Sequence, residues 1–137
     1  MTNGKRILVI DDDSDFSDYV HIVLSSHGYE VRQAASADEG MRILKQEPID
    51  LVILDVMMSY VLDGWSVSRQ MRHDPRLCRI PILMVSAIVS AEEDSLFPKG
   101  PESKIDGFMS KPIEPNALVR RVAELIAASE CGEEEEK

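Results

Sequence analysis

Three runs of four apolar residues each end in a polar side chain suited to chemistry. Ile7-Leu8-Val9-Ile10 precedes Asp11-Asp12-Asp13, Leu51-Val52-Ile53-Leu54 precedes Asp55, and Ile82-Leu83-Met84-Val85 precedes Ser86. Runs this short, without alternation, read as strands covered on both faces rather than as strands with one wet face. Glu30 to Ala34 and Phe108-Met109 supply two more strands, with segments of helical period between. Strands alternating with helices imply repeated βαβ units and an α/β fold with a parallel sheet.

The helices carry their own punctuation. Phe16, Val20, Val23 and Leu24 recur at helical spacing after a start at Ser14 or Asp15, and Gly28 stands where a left-handed cap would end the helix. Ser36-Ala37-Asp38-Glu39 forms a capping box ahead of Met41, Ile43 and Leu44, and Pro48 ends that helix. A third helix follows Gly64, using Trp65, Ser68 and Met71, and stops by Asp74-Pro75. The last opens on Pro115 and continues through Leu118, Val119, Val122, Leu125 and Ile126. Between Ala87 and Asp106, Pro98, Gly100 and Pro101 interrupt the expected fourth helix, which should be short or broken. From Glu130 no apolar periodicity remains, so the expected division is a folded body over 1–129 and an acidic, disordered tail over 130–137.

Charge excludes some functions. Twenty-five acids against 15 bases give a formal charge of −10, unsuited to direct binding of nucleic acid or an anionic membrane surface. The tail's five Glu and one Lys account for −4 of this, leaving −6 for the body. No apolar run approaches the roughly 20 residues of a membrane span, and Ile7 to Ile10 is too short for a signal peptide. Cys78 and Cys131 lack metal-type spacing to His21, His27 or His73 and read as free thiols of a cytoplasmic protein. The three histidines themselves read as surface residues.

In open parallel sheets, ligands bind beyond the carboxyl ends of the strands. Asp11, Asp12, Asp55, Ser86 and the Ser110-Lys111-Pro112 step all lie at such ends. Carboxylates brought to about 4 Å repel by roughly 4 kcal/mol per pair at an effective dielectric near 20, so a cluster calls for a cation. Hard oxygen ligands favour magnesium, which is commonly held by one or two carboxylates while a substrate phosphate completes its shell. A phosphoryl group suits the remaining parts: Asp55 as nucleophile, Lys111 neutralising oxygens and the Ser86 hydroxyl donating to another. The product would be an aspartyl phosphate.

With these motifs in order, the chain from about residue 5 to 128 resembles a response-regulator receiver domain of two-component signalling, of the single-domain chemotaxis type. The resemblance rests on Ile7 to Asp13, Asp50 to Met58, Asp63-Gly64, Pro81 to Ala87 and Phe108 to Pro112. It implies a flavodoxin-like, doubly wound five-stranded sheet of order 2-1-3-4-5. It further implies Asp55 as phospho-acceptor, magnesium bound by Asp12 and Asp55 directly, by Asp11 through water and by the Met57 backbone oxygen, and phosphoryl contacts from Ser86 and Lys111. A cis Lys111-Pro112 peptide and Phe108 as an aromatic switch coupled to Ser86 complete the set. The implied partners are a sensor histidine kinase or histidine phosphotransfer protein and an unknown downstream protein; the domain is a signalling module rather than an enzyme.

Two departures bear on this expectation. Ser59 replaces the usual proline after Met57-Met58, and Tyr60-Val61-Leu62 lengthens the loop to Asp63-Gly64 by one residue. The competing readings are a receiver used only for docking and a phosphatase of the haloacid-dehalogenase type. The latter wants a second acid two residues after its nucleophile, where this chain has Met57.

Overall fold

The structure is a computed structural model that describes residues 5–55, 67, 69–86, 107–110 and 113–135, with backbone alone at 86, 108, 110 and 129–135. Five strands, β1 (Arg6–Ile10), β2 (Glu30–Ala34), β3 (Leu51–Asp55), β4 (Ile82–Ser86) and β5 (Gly107–Ser110), form one sheet of order β2-β1-β3-β4-β5. Every pairing is parallel. The expected architecture and order are both present.

Alternation along the apolar runs explains the two covered faces. Leu8, Ile10, Val52, Leu54, Ile82 and Met84 point to one side, where α2 (Ala37–Gln46) contributes Met41 and Leu44 and the segment after β3 contributes Val67, Met71 and Leu77. Ile7, Val9, Leu51, Ile53, Leu83 and Val85 point to the other, against Val20 and Leu24 of α1 (Ser14–Ser25) and Leu118, Val122, Leu125 and Ile126 of the C-terminal helix (Pro115–Glu135). Each four-residue run therefore serves two cores at once. That is why none could afford a polar residue before its end.

The helix boundaries follow local chemistry. Asp13 caps α1, its side chain accepting from the amides of Asp15 and Phe16. Gly28 has φ 91°, the left-handed conformation that the turn into β2 requires. Ser36 Oγ accepts from Glu39 N at 3.2 Å, while Glu39 Oε1 reaches past the cap to the Ala35 amide at 3.0 Å. Residues 67 and 69–73 are helical and the helix ends at 73, and Pro115 opens the C-terminal helix, as the sequence predicts.

The backbone of the C-terminal helix continues through Glu135. Extending an already packed helix costs no new nucleation, and glutamates are good helix formers, so the missing apolar face does not end it. The segment expected to form a short or broken fourth helix and the loop carrying Ser59 to Leu62 lie outside the described residues.

Candidate functional site

The strand order fixes where a ligand can enter. From β1 the chain passes to β2 on one side of the sheet, and β3 joins β1 on the other, so a crevice opens beyond the carboxyl ends of β1 and β3. Ile10 and Leu54 are register partners, which brings the next residues, Asp11 and Asp55, level on adjacent strands. Strands lie about 4.8 Å apart, so the two carboxylates must share that crevice.

Asp12 joins them. One carboxylate oxygen from each of Asp11, Asp12 and Asp55 can be chosen so that all three lie within 4.8 Å of one another. Asp11 and Asp55 are buried, at 2% and 4% exposure, and Asp12 is exposed. The floor is thus sheltered and one side faces solvent.

Local hydrogen bonds hold this corner in place. Asp11 donates its amide to the Ala34 carbonyl at 3.0 Å, tying the β1 end to the β2 end. Its Oδ1 accepts from the Asp13 amide at 2.8 Å, and the Ser17 hydroxyl reaches the Asp11 carbonyl at 3.5 Å. The turn from strand to helix is therefore pinned from both sides. The N-terminus of α1, whose first turn carries amides without intrahelical acceptors, starts beside the acids and favours negative charge there.

Three acids at this spacing, on oxygen ligands alone, fit a hard divalent cation. The arrangement leaves an exposed flank through Asp12 by which an ion and a second anionic ligand could approach. Of the remaining predicted site residues, β4 ends at Ser86 and β5 carries Phe108, with Ser86 paired to Ser110 and Met84 to Phe108 across the ladder. Their backbones thus lie at the same edge as Asp55. Met57, Lys111 and Pro112 fall outside the described residues.

One contact at this edge has no counterpart in sequence pattern. Tyr19 of α1 donates its hydroxyl to the carbonyl of Ile113 at 2.6 Å, bridging residues 94 apart. Burial, and then the neighbouring Glu114, raise the Tyr19 pKa above its ordinary value of 10.0, so the hydroxyl stays protonated at neutral pH. Tyr19 follows the helical period only as a partly buried aromatic, and nothing in that pattern signals a polar partner. His21, His27 and His73 are exposed, as expected.

Among the described residues no helix is long and apolar enough to cross a membrane. Residues 7–123 match the response regulator receiver domain family. Among its relatives, the "DNA-binding dual master transcriptional regulator RpaA" of Synechocystis is 36% identical over 121 residues, 88% of this chain and 48% of that protein. The phosphate regulon transcriptional regulatory protein PhoB of Pseudomonas aeruginosa is 29% identical over 132 residues, 96% of this chain and 56% of that one. The chain spans about half the length of the curated relatives it matches. Among solved structures, a putative response regulator from Chloroflexus aurantiacus superposes with a TM-score of 0.81 at 31% identity, covering 91% of this chain and 99% of that one. The chemotaxis protein CheY4 of Vibrio cholerae gives 0.79 at 26%, covering 90% and 99%. The acidic crevice, the strand order and these likenesses agree: the chain belongs to the response regulator receiver domain family, whose members accept phosphoryl groups.

Proposed function

We propose that Asp55 is the phospho-acceptor of a response regulator and takes its phosphoryl group from the phospho-histidine of a partner kinase or histidine phosphotransfer protein. The observation that carries this reading is the convergence of Asp11, Asp12 and Asp55 in the crevice between β1 and β3. An Asp55 oxygen forms the new bond to phosphorus as the histidine nitrogen–phosphorus bond breaks, and the imidazole leaves with a proton. Asp12 and Asp55, with Asp11 behind them and the Met57 carbonyl, would hold magnesium; when bound, the ion offsets charge on the acids and on the phosphoryl oxygens. Lys111 and the Ser86 hydroxyl would take the other oxygens, and Phe108 would follow Ser86 as the switch. Phosphorylation adds about −1.5 to −2 charges at this edge, and the altered conformation signals to a downstream protein.

The domain acts as a cytoplasmic signalling module that assists its own phosphorylation, with no direct role for nucleic acid or membrane. The phosphatase alternative lacks its second acid, because Met57 occupies that position. The test is incubation with acetyl phosphate and magnesium followed by intact-mass and peptide analysis. One phosphoryl group on the peptide containing Asp55 is the expected result. Modification elsewhere overturns the assignment, and no modification with magnesium present overturns it and leaves the docking-only reading.

Tyr19 supplies a second expectation. Ile113 lies two residues after Lys111, so the Tyr19 hydroxyl holds the chain close to the proposed phosphoryl contact. Tyr19→Phe keeps the ring and removes only the donor, at a stability cost of about 1 kcal/mol. The phosphorylation rate with acetyl phosphate should fall several-fold at neutral pH. The hydroxyl's contribution to stability is present below pH 10.0 and is lost as pH rises through the raised pKa, so the two proteins should converge in alkaline unfolding. Equal phosphorylation rates at pH 7 would show that the lysine segment is held by other contacts.

A further inference from the structure

At the opposite pole of the sheet, the segments that enter β1, β3 and β4 enclose an open cavity of about 560 Å³. Lys5, Asp50 and Pro81, each directly preceding a strand, contribute to it, whereas Asp11, Asp12 and Asp55 stand at the other ends of those strands. Five-residue strands at about 3.3 Å per residue separate the two places by roughly 17 Å. The cavity therefore belongs to a different site, and not to the crevice where parallel sheets usually bind ligands.

Its charge runs against that of the chain. Lys5, Lys45, Arg76 and Arg79 line it, in a protein whose formal charge is −10. The two acids in its wall are engaged elsewhere: Glu47 lies 2.9 Å from Arg32 and 3.7 Å from Arg6, and Asp50 accepts the Arg6 amide at 2.8 Å. Asp74 is the one acid among residues 69–79, where four arginines fall. Its ion pair with the Arg76 guanidinium is 3.8 Å long, a geometry worth little, while the same carboxylate accepts the Arg76 amide at 2.8 Å. A second, more open depression shares Lys45 and Arg76 and adds Arg69 and His73, so the basic surface continues beyond the cavity mouth.

Ile49, Ile80 and Ile126 give the same cavity an apolar floor drawn from both layers of the fold. The volume falls within the roughly 300 to 1,000 Å³ of small-molecule sites, and the lining is mixed polar and apolar. A simple inorganic anion would use the rim and leave the floor. A fatty acid would use the floor but offer Lys45 and Arg76 only one carboxylate between them. An anion with several phosphates and a flat apolar body uses both, and arginine and lysine are the side chains that take phosphate.

We propose that this pole binds a nucleoside polyphosphate, its phosphates at Lys45 and Arg76 and its base over the isoleucine floor. The assignment does not depend on phosphorylation of Asp55. Isothermal titration of the whole chain with ATP in EDTA tests it, since chelation removes any divalent ion from the acidic crevice. One site is expected, weakened about tenfold by each of Lys45→Ala and Arg76→Ala, which are exposed substitutions. Asp55→Asn should leave the affinity unchanged, which separates this site from the phospho-acceptor. No heat of binding at millimolar ATP would overturn the proposal. Competition by inorganic tripolyphosphate as strong as by ATP would also overturn it, by showing a charge contact without the floor. Binding only of a poly-glutamate peptide would do so too, and would assign the surface to an acidic protein.

Discussion

Asp55→Asn is expected to accept no phosphoryl group and, in EDTA, to unfold at a higher temperature than the unmodified protein. Both effects come from one carboxylate. Asp55 is 4% exposed and shares a 4.8 Å cluster with Asp11 and Asp12, so neutralising it removes two like-charge contacts. Each such contact is worth at most about 3 to 4 kcal/mol at an effective dielectric near 20. The exposed Asp12 is screened by solvent, and the Asp13 amide already offsets part of the charge on Asp11. The gain is the part of this repulsion that remains once the other contacts of Asp55 and Asp12 are counted, and asparagine keeps the size of the side chain. A functional residue held against its neighbours is a common place for stability and activity to oppose each other.

Magnesium should reverse the order. An ion that binds the folded protein alone stabilises it by about 2.7 kcal/mol at one hundred times its dissociation constant. The unmodified cluster keeps all three acids for that ion, whereas Asp55→Asn offers it one fewer. Thermal unfolding of both proteins in EDTA and in saturating magnesium, with intact mass after acetyl phosphate, gives the four-way comparison. A variant that melts lower than the parent in EDTA would mean the acids are not in repulsion. An unmodified protein whose melting point ignores magnesium would remove the cation from the site.

Much of this site was legible because the acids sit directly after their strands. A four-residue apolar run must end where two cores end, so the order of residues alone marks Asp11 and Asp55 as lying at one sheet edge. What the runs do not contain is register. The pairing of Ile10 with Leu54 is what sets the two acids level, and it follows from packing α1 and α2 against opposite faces of β1. The Tyr19 bond to Ile113 joins residues 94 apart and leaves no periodic trace. The basic pole was hidden for the same reason. Its lysines and arginines come from separate segments, each of which reads alone as an ordinary solvated surface.

The largest loss of stability is expected at Leu54, the residue before the proposed acceptor. It is fully buried, belongs to the core formed with α2 and lies between Ile10 and Met84 on the neighbouring strands. Leu54→Ala removes packing on the central strand, where backbone pairing on both sides prevents β3 from moving to fill the space. Such truncations cost about 2 to 5 kcal/mol, the transfer of the lost methyl groups plus the cavity left behind. For a chain of this size the melting temperature should fall by roughly 10 to 20 °C. Ile22, 67% exposed on α1, is the control, and its change to alanine should stay within about 0.5 kcal/mol. At a temperature where Leu54→Ala remains folded, acetyl phosphate should still modify Asp55, because strand pairing rather than the Leu54 side chain holds Asp11 and Asp55 level. Chemical denaturation gives the energies, and a loss below about 1 kcal/mol would mean that α2 collapses onto the vacated space. Retained phosphorylation in a protein this much less stable would separate the scaffold's contribution from that of the acids, which Asp55→Asn alters in the opposite sense.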